Sequence, residues 1–293
     1  MTQVAITPPA EIVHWRVRRR RQTIGKFVAH FFLATGGLLF LFPFIWMLSL
    51  SLGTMKDIYR LPPRWIPAKL VFRNYPEAVT KFPFPLYFKN TMVIVLWNIA
   101  GTLLSCTLPA YAFARLRWKG RDLLFMLMLG TMMIPPQVTR IPMYIVWHRL
   151  HTLDTYVPLI APSFFGWAYA IFLSRQYFST IPFELEDAAR VDGCGYFAIF
   201  FRIMLPLSIP LMVTLSLFSF VGDWNDFFGP LIYLTTPGKY TLQLGLLSYR
   251  GQYVTNVPAL MAASVLILLP VIAVFGFGQS YFIRSVVLSG LKG

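Results

Sequence analysis

Residues 257–282 read VPALMAASVLILLPVIAVFGFGQSYF, and they contain no aspartate, glutamate, lysine, arginine or histidine. A helix that crosses the hydrocarbon core of a bilayer needs about 20 consecutive, predominantly apolar residues. This stretch is long enough to meet that requirement. It therefore predicts a transmembrane helix near the C-terminal end of the sequence.

Five further apolar blocks precede this one. They lie at about 27–52, 88–113, 123–147, 156–177 and 206–234. The 293 residues are 57% hydrophobic and only 13% charged, whereas soluble domains carry about 25% charged residues. This composition excludes a cytosolic enzyme of ordinary make-up, and the 17% of aromatic residues excludes a disordered chain. We expect an all-α integral membrane protein with six transmembrane helices.

The third block contains Pro135-Pro136 and Pro142. Proline lacks an N–H group and clashes inside a helix, and freed carbonyl groups at membrane depth need protein or a wet cavity around them. We expect the third helix to end near Met133, with an irregular interfacial segment after it. A simple kink is the alternative.

Charge predicts the orientation. The net charge is +15, and the N-terminal arm, residues 1–26, contains Arg16, Arg18–Arg21 and Lys26. Lys and Arg accumulate in cytoplasmic loops, so both termini are expected in the cytoplasm, with a six-span domain at 27–282 and a short tail at 283–293. A basic chain could also bind nucleic acid, but no soluble basic face can be drawn here.

The first outer loop, 53–88, is basic as well. Its charges are either ordinary residues next to the membrane or a surface that attracts an anionic sugar, such as an alginate-like uronate.

Several kinds of chemistry have no sequence support. The phosphate-binding pattern G-x-x-x-x-G-K-[ST] is absent, so ATP hydrolysis is not expected in this chain. His148 and His151 lack a third ligand for a metal ion, and Cys106 and Cys194 form neither a disulfide framework nor a metal motif. We therefore expect no cofactor bound to this chain.

Acidic residues concentrate between the fourth and fifth blocks. Residues 181–195 read IPFELEDAARVDGCG and contain four of the eleven acidic residues. Pro182 suits a first helical turn, acidic side chains favour the positive end of the helix dipole, and Gly193 and Gly195 would end the helix. The pattern predicts a cytoplasmic helix of about 10–12 residues. It is either a docking element or a solvated loop helix.

This loop resembles the EAA signature of importer-type ATP-binding cassette (ABC) permeases. Asp187-Ala188-Ala189 is followed by three residues, Gly193, nine residues and then Ile203-Met204-Leu205-Pro206, which matches the pattern I-x-L-P. Asp187 stands in place of the first Glu of the signature. Further blocks resemble the maltose-type (MalG-like) sugar permeases. They are FRNY at 72–75, NT at 90–91, AYAFARL at 110–116, TMMIP at 131–135, WNDF at 224–227 and GLKG at 290–293.

The resemblance implies a bacterial inner-membrane subunit with a family core at about 86–282 and a coupling loop at 179–206. Its partners would be a second, MalF-like permease, two ATPase subunits that hold ATP and Mg, and an extracytoplasmic sugar-binding protein. The residues implied to couple to the ATPases are Glu184, Glu186, Asp187, Ala188, Ala189, Arg190, Asp192 and Gly193, with Lys292 and Gly293 of the tail. Those implied to contact the binding protein are Gln243, Tyr249 and Gln252.

Charged and polar residues at membrane depth form a second candidate site. Asp223, Asn225, Asp226 and Arg140 either contact the substrate or a gate, or belong to a structural hydrogen-bond network, which we favour. The function expected is that of an oligosaccharide-importing ABC permease. A self-sufficient secondary transporter or channel would need coupling carboxylates near the midplane, and a membrane enzyme would need convergent polar groups. Neither feature is apparent.

Overall fold

The computed structural model describes residues 10–60, 62, 64–81, 83–249 and 256–290, with side chains from residue 25 to residue 279. Within these residues the chain is helical and contains no β-strand. The α-helices are α1 (Ala10–Ser51), α2 (Met55–Ile58), α3 (Asn74–Lys81), α4 (Phe84–Arg115), α5 (Arg121–Gly130), α6 (Pro136–Arg149), α7 (Val157–Ile160), α8 (Ala168–Phe178), α9 (Glu184–Val191), α10 (Tyr196–Ile199), α11 (Leu205–Leu207), α12 (Ile209–Trp224), α13 (Phe228–Tyr233), α14 (Leu242–Gly245) and α15 (Val257–Gly290).

Four segments are long and apolar enough to cross a membrane. They are residues 25–51 of α1, all of α4, residues 157–178 and residues 257–279 of α15. Two bent pairs qualify if each counts as one span, namely 121–133 with 136–149 at 96° and 196–207 with 209–224 at 77°. The all-helical membrane fold is therefore confirmed, with four spans or up to six.

The third apolar block breaks at the predicted place. α5 continues through a 3₁₀ turn at Thr131–Met133, and Ile134 is extended with φ −82° and ψ 116°. A residue before proline avoids the helical region, so Pro135 explains this conformation. The expected irregular segment is wrong, because α6 is a regular helix of 14 residues that starts at Pro136. Proline is well suited to the first helical position, where its missing N–H would have no partner.

The fifth apolar block, expected to be continuous over 206–234, is interrupted twice. A π-helical segment, Phe200–Met204, lies just before the block. Within the block, the chain bends at Ser208 before α12, and α12 already ends at Trp224. The hydrophobicity of these residues predicted one continuous helix. Pro206 and Pro210 interrupt it, because they remove backbone N–H donors on both sides of the bend. The 228–233 segment is a separate short helix.

Helix α4 runs through the interior and connects two hydrophobic clusters. Near its C-terminal end, Tyr111 packs in a cluster with Phe178 and Phe200. Near its N-terminal end, Tyr87 belongs to a second cluster that contains Trp224, whose indole donates a hydrogen bond to the carbonyl of Ile267 at 3.1 Å. Helix α4 thus contacts both clusters, so a displacement of this helix would act on both of them.

Candidate functional site

The predicted cytoplasmic helix is α9, which has eight residues rather than the 10–12 expected. It starts at Glu184, so Pro182 lies before the helix. At its other end Gly193 has φ +83°, its N–H bonds to the carbonyl of Arg190 at 3.0 Å, and Cys194 N–H bonds to the carbonyl of Ala189 at 2.9 Å. This pair of hydrogen bonds is a Schellman C-cap, for which glycine in the left-handed region is favoured. Gly193 therefore ends the helix as predicted.

Helix α9 is attached to α4 by an ion pair. Nε of Arg115 lies 3.0 Å from Oε1 of Glu186, and their side chains are 0% and 2% exposed. The guanidinium also donates to the carbonyl oxygens of Phe178, at 2.6 Å, and Ile181. Arg115 thus connects the end of α4 to α9 and to the segment that leads into α9.

Two aromatic rings and a second arginine complete this cluster. The guanidinium carbon of Arg115 lies 4.1 Å from the centre of the Phe183 ring, and the Tyr111 hydroxyl donates to Oε2 of Glu186 at 3.5 Å. Arg190, four residues after Glu186 on the same helix face, lies 3.7 Å from the same oxygen. Burial raises the pKa of the Glu186 carboxyl above its usual value, while Arg115 and Arg190 oppose that shift.

The structure divides the predicted coupling residues between two faces. Glu186 and Ala189, three residues apart and so on one side of the helix, are buried. The interpretation of Glu186 as a surface contact is therefore corrected, because its carboxylate is enclosed by Arg115. The exposed members are Glu184, Asp187, Ala188, Arg190, Asp192 and Gly193. Apolar side chains flank this exposed face, among them Val191 at 88% exposure and Phe197 at 68%.

Sequence reasoning missed Arg115 and Tyr111 as parts of this site. Both residues entered the sequence analysis only as members of the AYAFARL block at 110–116. The available signal was the position of Arg115 as the last residue of a long apolar helix, where a charge is costly unless it is paired.

A half-open cavity of about 670 Å³ lies between α4, α8, α12 and the break after α5. Asp223 borders it, and its two oxygens accept hydrogen bonds from Asn98 Nδ2 and Ser219 Oγ, each at 2.9 Å. Asn98 also donates to the carbonyl of Leu159 at 3.1 Å. The hydrogen-bond network expected around Asp223 is present, and the same carboxylate belongs to a cavity wall.

The other polar residues predicted at membrane depth lie outside the cavity lining. Asp226 Oδ1 accepts the N–H of Gly229 at 3.1 Å, and Asn225 Nδ2 donates to the carbonyl of Val221 at 2.8 Å. The guanidinium carbon of Arg140 lies 4.8 Å from the centre of the Phe228 ring. The structure therefore does not bring these three residues together with Asp223 in one polar site.

Of the three residues expected to contact a binding protein, Tyr249 is buried. Its hydroxyl donates to the carbonyl of Ala78, and burial raises the pKa of Tyr249 to about 12. The interpretation of Tyr249 as a surface contact is therefore wrong. Gln243 is half-buried and donates to Asn225 Oδ1 at 3.4 Å. Gln252, and the tail residues Lys292 and Gly293, lie outside the described residues.

In the described part of the basic loop at 53–88, two ion pairs form. Arg73 lies 2.7 Å from Glu77, and Arg64 lies 3.9 Å from Asp57. Part of the positive charge that suggested attraction of an anionic sugar is therefore compensated within the loop.

Sequence and structure comparisons support the resemblance found in the motifs. Residues 106–287 match the family described as binding-protein-dependent transport system inner membrane component. The arabinooligosaccharides transport system permease protein AraQ of Bacillus subtilis is 36% identical over 261 residues, which cover 87% of this chain and 92% of that protein. The sulfoquinovosyl glycerol transport system permease protein SmoH of Agrobacterium fabrum is 30% identical over 269 residues, covering 92% and 93%.

A solved structure has the same fold. It is a crystal structure of a bacterial ABC transporter involved in the import of the acidic polysaccharide alginate. One of its chains matches with a TM-score of 0.77 and 24% identity, over 90% of this chain and 98% of that chain. The family match covers more than half of the sequence, and the relatives align along most of it. The chain therefore belongs to the binding-protein-dependent inner-membrane components, the permease subunits of ABC transporters.

Proposed function

We propose that this chain is one of two permease subunits of an ATP-driven importer of oligosaccharides. Membership of a binding-protein-dependent transport family supports import aided by an external binding protein. Relatives that align with 87% and 92% of this chain are named for the transport of a sugar oligomer and of a glycoside, which supports a carbohydrate cargo. Family membership also favours this function over a self-sufficient secondary transporter.

The complete importer contains a second permease, two ATPase subunits that carry ATP and Mg, and a sugar-binding protein on the outer side. This chain crosses the bacterial inner membrane with both termini in the cytoplasm. It contributes half of the transport path, and hydrolysis takes place on the partner subunits.

Coupling between hydrolysis and transport enters through α9. Its exposed face, with Asp187 and Ala188 at the centre, docks on an ATPase subunit. The small side chain of Ala188 allows close approach, and the neighbouring apolar residue Val191 supplies area that association would bury. Closure of the ATPases then displaces α9.

The observation that carries this part of the proposal is the buried pair of Arg115 and Glu186. Breaking a buried ion pair by removal of one partner costs about 3–5 kcal/mol, several times the thermal energy. Motion of α9 is therefore transmitted to α4 rather than absorbed by a loose loop. Because α4 reaches both hydrophobic clusters, the displacement extends to the cavity beside Asp223.

The test is made on the whole complex in proteoliposomes, with arabinotriose, maltotriose and a mannuronate dimer as cargo. Ala188→Trp places a bulky ring on the exposed face of α9. We expect the complex to lose at least about tenfold of its binding-protein-stimulated ATP hydrolysis, because the close approach is blocked. Lys119→Trp is the matched control, since Lys119 is also exposed and lies in the turn after α4.

Full stimulation in the Ala188→Trp complex would contradict docking through α9. Import of none of the three carbohydrates by the unsubstituted complex would contradict the carbohydrate part of the proposal. Docking through α9 is tested in the Ala188→Trp complex, and the carbohydrate cargo is tested in the unsubstituted complex. Failure of one part of the proposal therefore does not hide failure of the other.

A further inference from the structure

We infer that the cavity beside Asp223 is a subsite that binds an uncharged, hydroxyl-rich sugar on this chain's own side of the transport path. This inference rests on the proposed function and deepens it. It assigns contact with the cargo to named residues of this chain and selects between neutral and acidic sugars.

The first support is depth. Helix α4 has 32 residues, and Asn98 lies 14 residues after its first residue, Phe84. At about 1.5 Å per residue this distance is about 21 Å, and the hydrocarbon core is about 30 Å thick. Asn98, and the cavity that it borders, therefore lie well inside the membrane, away from either headgroup layer.

The second support is the convergence of interrupted helices on the cavity. Ile134 and Pro136 come from the break after α5, while Gly166 and Trp167 come from the turn that precedes α8. Gly166 has φ +87°, which favours glycine. Non-helical backbone at membrane depth is tolerated where it is covered by protein or lines a cavity, and discontinuous helices flank the substrate sites of many transporters.

The third support is the chemistry of the lining. A carboxylate from Asp223 and hydroxyl groups from Thr131 and Ser163 border a mainly apolar space that includes the Trp167 ring. Sugar hydroxyl groups donate to carboxylates and exchange hydrogen bonds with hydroxyl side chains, and their C–H faces pack on aromatic rings. The volume of about 670 Å³ lies within the range of about 300–1,000 Å³ typical of small-molecule sites.

An unpaired acceptor strengthens this assignment. Asn98 is 5% exposed, and its side-chain oxygen Oδ1 has no hydrogen-bond partner although its nitrogen donates twice. Buried polar atoms in native proteins nearly always have partners, so this enclosed acceptor would gain one if the Asn98 side chain turned towards the cavity and met a donor on a ligand. A sugar hydroxyl is such a donor.

The charge of the cavity selects the cargo. Asp223 is the one charged side chain among the described lining residues. An acidic sugar would bring a second negative charge into a space of low dielectric, where like charges repel strongly. The subsite therefore suits a neutral oligosaccharide. This conclusion differs from the anionic cargo that the basic outer loop had suggested.

The inference is tested by protection of a thiol. Thr131→Cys is introduced together with Cys194→Ala, and Cys106 stays in place because it is buried. The full complex in proteoliposomes, with its binding protein, is treated with a small water-soluble thiosulfonate. We expect Cys at position 131 to react, and arabinotriose or maltotriose to slow this reaction at least about fivefold, whereas the mannuronate dimer leaves it unchanged.

Lys119→Cys in the same background is the matched control. Lys119 is exposed in the turn after α4 and does not line the cavity. We expect no sugar to alter its reaction. Equal protection at both positions would indicate a global change rather than occupancy, and would overturn the inference. So would import of a sugar that gives no protection at position 131, or stronger protection by the mannuronate dimer.

Two conservative variants supply a kinetic test. Thr131→Val and Asp223→Asn keep the side-chain shapes but remove a hydroxyl group and a charge. We expect KM for uptake of the neutral sugar to rise about tenfold in Asp223→Asn and less in Thr131→Val. Unchanged KM in both variants would contradict the subsite. If the unsubstituted complex imports no carbohydrate, the proposed function itself fails.

Discussion

Nε of Arg115, the last residue of α4, lies 3.0 Å from Oε1 of Glu186 in α9, and both side chains are buried. These residues are 71 positions apart in the sequence. Their pairing fixes the short helix α9 to the long apolar helix α4, which is the mechanical link that coupling by α9 requires.

The buried pair predicts unequal and non-additive mutational costs. Arg115→Met leaves the Glu186 carboxylate with Arg190 at 3.7 Å as its remaining cation in the described chain, and we expect a loss of about 3–5 kcal/mol. Glu186→Met leaves the buried Arg115 guanidinium with two carbonyl acceptors but no paired carboxylate in the described chain, and arginine cannot lose its proton, so its cost is larger. The double variant should cost less than the sum by more than about 1 kcal/mol, as measured by denaturation in detergent.

Arg117→Met serves as the control, because Arg117 is exposed and near the same helix end. Its expected cost is below about 1 kcal/mol. Additivity of the two buried substitutions within about 0.5 kcal/mol would contradict direct coupling between Arg115 and Glu186.

Substitutions of Gly193 are expected to destabilise the end of α9 to different degrees. A Cβ added there would meet no atom within 4 Å, so only its φ of +83° resists substitution. Asn tolerates the left-handed region, Ala costs about 1 kcal/mol, and a β-branched residue costs more. We expect Gly193→Asn to lower the melting temperature of the complex and its stimulated ATP hydrolysis least, Gly193→Ala to lower them more, and Gly193→Val to lower them most. Equal effects of Asn and Val would show that backbone conformation is not what matters.

Asp154 joins two loops through hydrogen bonds and an ion pair that we expect to depend on pH. The Thr236 hydroxyl at 2.6 Å, the backbone N–H groups of Thr235 and Thr236, and Lys239 at 3.0 Å hold the pKa of the Asp154 carboxyl below its usual value of 3.8. Since the pKa is lowered on folding, the stabilisation is complete above the unfolded value of about 3.9 and is lost as the pH falls through the folded value. Asp154→Asn removes this stabilisation but accommodates the φ of +57°.

We therefore expect the melting temperature of Asp154→Asn to lie below that of the unsubstituted protein by a constant amount between pH 8 and pH 5. The difference should shrink below about pH 4. Thermal denaturation across this range measures it. A difference that instead grows towards acid pH would contradict an ionised Asp154 as the source of this stabilisation.

Gly101 lies where α4 meets the segment before α8, and we expect no larger side chain to fit there without strain. A Cβ on Gly101 would collide with Oγ of Ser163 and would lie 2.9 Å from the ring of Phe164. Overpacking of this kind costs about 1–3 kcal/mol. Gly130→Ala is the matched control, because nothing lies within 4 Å of its Cβ and alanine favours helix. We expect Gly101→Ala alone to lower the unfolding midpoint.

The sequence predicted the features that depend on local pattern. Apolar length predicted the spanning helices, the proline pair predicted the break near Met133, and Gly193 predicted the end of α9. These outcomes follow from neighbouring residues, since helix caps and proline effects act within one or two turns.

Features that depend on distant contacts were not predictable in this way. The burial of Glu186 needs Arg115, and the burial of Tyr249 needs Ala78, 171 positions away. Glu186 and Ala189 share a helix face, but a glutamate and an alanine at this spacing do not show by themselves that the face is buried. The cavity beside Asp223 could not be foreseen, because two separate interruptions, the break after α5 and the turn before α8, have to meet α4 and α12 to form it.

Docking of α9 on an ATPase subunit, as we claim, can be observed by photo-crosslinking in the assembled complex. The photoreactive residue p-benzoylphenylalanine replaces Ala188 in one complex and Lys119 in another. Irradiation of the position 188 complex should give a covalent product between this chain and the ATPase subunit, stronger than at position 119. A complex with full stimulated hydrolysis that forms no such product at position 188 would contradict the claim.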